Sequence, residues 1–183
     1  GLPSLRYQPI DVTARYGEGT HPVPIRMFLP RERSREEVVL FLHGGGWVTG
    51  DVESYTPACA TMADLTGCHV ASVDYRLAPE HKAPAGCDDA YTAYLWALQN
   101  AAALGADPAR VAVGGDSAGG NLSALVTQRA RDDRAPLPAL QVLIYPGTNA
   151  AAQTRSMTLF ANGFFLTRRD IEWFKATHLD GTG

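Results

Sequence analysis

The sequence predicts an α/β protein built on a mostly parallel sheet. Three observations carry that prediction. Four short apolar runs, EVVLFLHG (37–44), CHVASVDY (68–75), RVAVGGD (110–116) and LQVLIYP (140–146), have the length and unbroken hydrophobicity of strands covered on both faces. Stretches with apolar residues at steps of three and four alternate with them, the period of a helix packed on one side. Two glycine clusters, HGGG (43–46) and GGDSAGGNL (114–122), fall where strands end, and in such sheets chemistry collects at the carboxyl ends.

Taken in order, segments 10–16 and 22–29 read as polar-edged strands joined by the turn GEGTH (17–21), a hairpin. The run 37–44 is a buried strand, followed by a helix over 56–66 and the buried strand 68–75. RLAPEHKAPAG (76–86) contains two prolines and is a loop. From Asp88 to Leu104 the pattern is helical, with Ala90, Ala93, Tyr94, Ala97, Ala101 and Leu104 on one face. Strand 110–116 leads into a helix from Ser117 to Arg131 that carries Leu122, Leu125 and Val126 along one side. LQVLIYP is the next strand. In LTRRDIEWFKATHL, Thr167 and Asp170 have the spacing of a capping box at a helix start.

Composition narrows the function. The 183 residues are 45% hydrophobic and 19% charged, with net charge −3, the balance of a one-domain globular chain. No basic surface is expected, so nucleic acid is not a predicted partner. No apolar run approaches the roughly 18 residues that a membrane helix needs. No signal peptide is recognisable. Cys59, Cys68 and Cys87 fit neither a zinc site nor a CxxC pair, so no metal is expected; reduced thiols and a cytoplasmic location are.

The chemistry centres on Ser117. Gly115-Asp116-Ser117-Ala118-Gly119 has the G-x-S-x-G form of a nucleophile elbow, a sharp strand-to-helix turn that lifts the serine oxygen above the sheet. Side chains at 115 and 119 would collide in such a turn, so glycine fits there. The Ala118 amide then lies at a helix N-terminus, aimed at developing negative charge. HGGGW (43–47) follows its own strand, and its glycines let backbone N–H groups approach a substrate oxygen. Together the two segments are candidates for an oxyanion hole. The absence of both nucleotide-binding glycine fingerprints weighs against a phosphate loop and a nucleotide-binding protein.

HGGGW, VDYRLAPEHKAPA and GDSAGGNL occur in the order of the motifs of the hormone-sensitive-lipase-like branch of the α/β-hydrolases, and the region 37–146 resembles that family. The resemblance implies hydrolysis of short to medium acyl esters, without a cofactor, through an acyl-enzyme on Ser117. It implies oxyanion donors at Gly45, Gly46 and Ala118. It gives His43 the task of bracing the loop, with Gly44 and Asp116 as further supporting residues, and makes YRLAPEHKAPA a wall of the site. Ala83 departs from the family, which often has a larger apolar residue there.

A serine needs a base, and the base an acid. In this fold both follow the serine in sequence. After Ser117 the only histidine is His178, in the last helix, where it reads as a helix-end residue that favours the dipole when charged. Asp180 reads as part of a terminal turn. His21, His69 and His81 read as turn, strand-start and loop residues. Asp116 adjoins Ser117, so its side chain should diverge from the serine's. Six strands are countable against the family's eight, which would leave 140–146 as an apolar edge. The expectation is therefore an incomplete hydrolase: residues 1–150 form a partial catalytic domain and 151–183 a cap segment. A C-terminal piece would supply the acid and histidine, and a homo-oligomer is compatible with the exposed edge. Phe160, Phe164, Phe165 and Trp173 are candidates for either an acyl pocket or ordinary core. The competing class is a non-catalytic binding protein on the same fold.

Overall fold

All four unbroken apolar runs become strands, and the four lie side by side. In the computed structural model, which describes residues 10–16, 21–32, 34–149 and 151–179, they are β3 (Val38–Leu42), β4 (His69–Val73), β5 (Val111–Asp116) and β6 (Gln141–Ile144). Before them come β1 (Ile10–Ala14) and β2 (Val23–Phe28). One sheet holds them in the order β1-β2-β4-β3-β5-β6. β1 pairs antiparallel with β2, and β2 with β4. The remaining neighbours are parallel, in registers that match Leu42 with Val73 and with Gly115. The first two strands are thus a hairpin as expected; its turn, at 17–20, lies outside the described residues.

Helices cover both faces. α1 (Val52–Thr66) packs Cys59, Ala60 and Ala63 onto Phe28, Phe41 and Val70. α2 (Ala85–Asn100) and α3 (Ala118–Asp132) cover the other face, where Ala90, Ala93, Tyr94 and Ala97 meet Leu122 and Val126 over Leu40, Leu42 and Val113. Burying each of the larger aliphatic side chains contributes about 1.5–3 kcal/mol.

Two helix boundaries differ from expectation. α1 starts at Val52 rather than near 56. Asp51 caps it by accepting from Ser54 N, and Ser54 Oγ accepts in return from Asp51 N. That reciprocal cap outweighs Pro57, which lies inside the helix and invites a later start. α2 begins directly after Pro84, and its regular bonding ends at Asn100. Residues 101–105 then tighten into a reversal: Gly105 takes a φ of 72° and Ala106 N donates to Ala101 O at 2.8 Å.

The loop between β4 and α2 is pinned by an ion pair. Arg76 donates through Nη2 to Asp89 Oδ1 at 2.8 Å and through Nε to Oδ2 at 2.9 Å, while Arg76 N also reaches Oδ2 at 2.9 Å. Asp89 is buried. The loop carries cis bonds at Ala78–Pro79 and Ala83–Pro84.

β6 is an edge strand, and its four residues are all exposed. Its composition is that of a strand covered on both faces, but among the described residues only β5 lies beside it. Beyond it come α4 (Arg155–Leu159), a short helix that the sequence pattern did not indicate, and α5 (Arg168–His178). α5 starts as expected, with Thr167 N donating to Asp170 Oδ2 at 2.9 Å and Asp170 N to Thr167 Oγ1. No helix among the described residues is long and apolar enough to cross a membrane.

Replacing Asp89 with Ala strands the Arg76 guanidinium. Losing one partner of a buried pair costs about 3–5 kcal/mol, and the partial exposure of Arg76 puts this case at the lower end. Urea unfolding of Asp89→Ala is expected to show that loss with an unchanged slope.

Candidate active site

Strand order decides which loops meet. From β3 the sheet runs one way to β4 and the other way to β5, so the carboxyl ends of β3 and β5 form the switch point where such sheets open a crevice. The chain leaves β3 as His43-Gly44-Gly45-Gly46 and leaves β5 as Asp116-Ser117.

Ser117 occupies a strained turn, with φ 53° and ψ −114°, at the N-cap of α3. A non-glycine residue held there costs on the order of 1–3 kcal/mol. Backbone bonds hold it: Ser117 N donates to Ile144 O at 2.9 Å, and Ser117 O accepts from Asn121 N at 3.0 Å. Its hydroxyl makes no hydrogen bond among the described residues. A Cβ on Gly115 or on Gly119 would overlap the Leu42 carbonyl oxygen, and one on Gly115 would also lie 2.6 Å from Gly119 C. The turn therefore packs backbone against backbone, and the collision expected of side chains at 115 and 119 includes the neighbouring strand.

The glycine loop is held polar group by polar group. His43 is buried; its Nδ1–H donates to Gly44 O at 2.7 Å, and its ring stacks on Tyr75 at 4.4 Å. Tyr75 Oη donates to His43 O at 2.8 Å. Gly44 N donates to Asp116 Oδ1 at 2.9 Å and also approaches Tyr55 Oη at 3.1 Å, while Tyr55 Oη donates to Asp116 Oδ2 at 2.9 Å. Gly45 O accepts from Val48 N and Thr49 N. Gly45 and Gly46 take φ of 122° and 61°, a conformation that favours glycine. Their N–H groups have no acceptor among the described residues. A Cβ on Gly46 would strike the ring of Phe174 in α5.

Burial sets the protonation states. It holds His43 below the ordinary histidine value, against the opposing pull of the Gly44 carbonyl and of Asp74, Asp116 and Asp51. Burial, with the Asp116 carboxylate second, pushes the Tyr55 phenol up to about 12. Burial also raises Asp74 and lowers His178.

The structure thus brings His43, Gly44 and Asp116 into one network beside Ser117, with the Asp116 side chain engaged by the loop. Ala118 is the first residue of α3, where a backbone N–H lacks an intrahelical partner. His178 does end a helix, but not as a charged dipole partner. It stacks on Trp47 at 4.6 Å, and the burial that lowers its pKa favours the neutral ring. Asp180 lies outside the described residues. Among the described residues no histidine is hydrogen-bonded to Ser117. His21 and His81 are exposed, and the His69 ring bonds Leu104 O. Phe160, Phe164, Phe165 and Trp173 are all at least half exposed among the described residues. Ala83 N donates to His178 O at 3.0 Å, so the position that departs from the family meets the end of α5. Tyr55, Tyr75 and Phe174 have roles that the sequence alone does not show. Their partners are distant in the chain, and no local spacing marks them. No group of three or more metal-ligating side chains is assembled among the described residues.

A mostly parallel sheet with helices on both faces, and a strained serine turn between its fifth strand and the next helix, defines the α/β-hydrolase architecture. The chain belongs to the α/β hydrolase fold family, whose model matches residues 39–183. It is 51% identical over 162 residues to the carboxylic ester hydrolase LipN of Mycobacterium tuberculosis, covering 86% of this chain and 43% of that protein. It is 38% identical over 169 residues to an ethyl acetate hydrolase of Pseudomonas putida, covering 90% and 52%. A hyperthermophilic esterase from the archaeon Pyrobaculum calidifontis superposes with a TM-score of 0.87 at 41% identity, covering 94% of this chain and 56% of that one. The chain spans about half the length of the curated relatives it matches.

Two outcomes follow from the packing and the charges. Gly119→Ala drives a methyl into the Leu42 carbonyl and should destabilise the fold by roughly 3 kcal/mol or more, at or above the usual overpacking cost because backbone must move. Thermal unfolding measures it. The buried ring of His43 and the half-buried ring of His178 resist protonation, while the unfolded chain takes up protons near the ordinary value of 6.5. Stability present above that pH is therefore lost as pH falls toward the folded-state values. Asp74, raised by burial, acts in the opposite sense at more acidic pH. The unfolding midpoint should drop by a few degrees between about pH 7 and about pH 5, and His178→Gln should flatten that slope.

Proposed function

We propose that this chain is the nucleophile-bearing part of a serine carboxylester hydrolase. Residues 1–150 form its catalytic portion and residues 151–183 a cap segment. The observation that carries this reading is the state of Ser117. Its backbone is strained, its hydroxyl is not engaged by any described residue, and the residue before it grips a glycine loop with two amides that have no acceptor among the described residues.

In the reaction, Ser117 Oγ attacks the acyl carbonyl carbon as its proton passes to a base. The carbonyl oxygen gains the negative charge and accepts hydrogen bonds from the Gly45, Gly46 and Ala118 amides. Collapse breaks the ester C–O bond, and the leaving alcohol takes the proton from the base. Water then repeats the sequence on the acyl-enzyme and releases the carboxylic acid. This route needs no metal or cofactor.

We place the acid and histidine in polypeptide outside residues 1–183. The relatives' greater length supports this, as does the lack of a suitable base bonded to Ser117 among the described residues. Its docking edge is β6, where Val142, Leu143 and Ile144 are exposed and an added strand would bury them. Association with a second copy is the other way to cover that edge. Short acyl esters are the proposed substrates, in keeping with a relative named for ethyl acetate hydrolysis. Phe160 and Phe164, stacked edge to face at 4.9 Å, and Phe165 and Trp173 are offered to the acyl chain. Unbridged cysteines agree with a reducing, cytoplasmic setting.

The complete natural polypeptide should hydrolyse p-nitrophenyl acetate, and a fluorophosphonate should label Ser117 stoichiometrically. Ser117→Ala should abolish labelling and lower kcat by about 10³-fold or more. Equal rates for the two proteins, with no adduct, would favour the binding-protein alternative.

A further inference from the structure

We propose that Tyr55 is a positioning residue for the oxyanion loop: its hydroxyl and the Asp116 carboxylate together fix the Gly44 peptide, and through it the direction of the Gly45 and Gly46 amides. The inference rests on the esterase reading above.

Three elements contribute one group each to a closed ring of hydrogen bonds. Tyr55 comes from the first turn of α1, Gly44 from the loop after β3, and Asp116 from the end of β5. A phenol has one hydrogen, and it goes to Asp116 Oδ2 at 2.9 Å. Its lone pair then faces Gly44 N at 3.1 Å, and the other carboxylate oxygen accepts from the same N–H at 2.9 Å. Burial and the neighbouring carboxylate both favour the protonated phenol, so this donor persists across the neutral range.

The glycine at 44 gives independent support. Its φ is not positive, unlike those of Gly45 and Gly46, so backbone conformation does not call for glycine there. A Cβ at 44 would overlap the Asp116 carboxylate and lie 3.0 Å from Tyr55 Oη. The ring itself excludes a side chain.

Peptide planes are rigid, so pinning Gly44 N limits the planes that follow. Nearby acceptors are also held: His43 O by Tyr75, Gly44 O by the His43 ring, and Gly45 O by Val48 and Thr49. The Gly45 and Gly46 N–H groups have no acceptor among the described residues and are set in direction. Asp116 immediately precedes Ser117, so one carboxylate references the loop to the nucleophile. Tyr55 supplies the second donor that keeps this carboxylate from rotating.

Loss of one oxyanion donor costs about 10²–10³ in turnover, and a misplaced donor costs less. In the complete natural enzyme, Tyr55→Phe should therefore lower kcat for p-nitrophenyl acetate about 5- to 30-fold while KM stays within about twofold. Affinity for a trifluoromethyl ketone, which forms the oxyanion, should fall in parallel. Asp116→Asn should act in the same direction, and the double variant should lose less than the product of the two single losses. In the 183-residue chain, amide exchange at Gly44 should accelerate in Tyr55→Phe while that of the β3 amides does not. If the wild type is no faster than Ser117→Ala, the esterase reading itself falls. With an active wild type, the role of Tyr55 is overturned by an unchanged kcat, by a loss carried in KM, by multiplicative losses, or by unchanged Gly44 exchange. Should Tyr55→Phe not fold, Asp116→Asn decides by the same split between kcat and KM.

Discussion

The Leu42 carbonyl oxygen is the point on which the site geometry depends. It ends β3 where β5 ends, in register with Gly115, and both Gly115 and Gly119 lie so close to it that neither tolerates a methyl group. That approach of backbone to backbone lets the chain reverse from strand to helix within one residue. It forces Ser117 into a positive φ and sets the N-terminus of α3 against the loop that leaves β3. The strain at Ser117 is small beside the burial of the strands and helices that impose it.

Around this contact the His43, Gly44 and Gly45 carbonyls and the Asp116 carboxylate are held by hydrogen bonds. Asp116 answers both Gly44 and Tyr55, and the buried His43 stays neutral while its Nδ1–H closes on the next carbonyl. A neutral imidazole suits this place. A charged ring taken out of water would need a paired carboxylate, and Asp116 is already committed. Tyr75, stacked on the same ring, ties the loop to the segment that the Arg76–Asp89 pair anchors. The loop rests on neighbours on several sides, which is what the proposed donor role requires.

The β6 edge and the segment after it have a different character. β6 has the composition of a central strand and the position of an edge, and its apolar side chains are exposed. The segment beyond it folds back through α5, where Phe174 lies against Gly46 and His178 against Trp47. Those contacts connect 168–178 to the glycine loop, while aromatic side chains nearby face solvent.

Much of this was legible without coordinates. Unbroken apolar runs fix β3, β4 and β5 as strands covered on both faces, because burial on both sides rewards such composition, and the Ala90–Ala97 spacing fixes the inner face of α2 for the same reason. Glycines around Ser117 announce the turn, because no other residue allows the backbone approach. Local pattern also placed the Thr167 cap correctly. It misjudged the start of α1, where Pro57 is the louder signal and the Asp51–Ser54 cap the stronger interaction. Strand order, the ring of Tyr55, Gly44 and Asp116, the neutral stack of His178 on Trp47 and the contact of Phe174 with Gly46 belong to the tertiary structure alone. They join residues tens of positions apart, and a short-range period carries no information about which distant groups the packing of β3 beside β5 brings within reach.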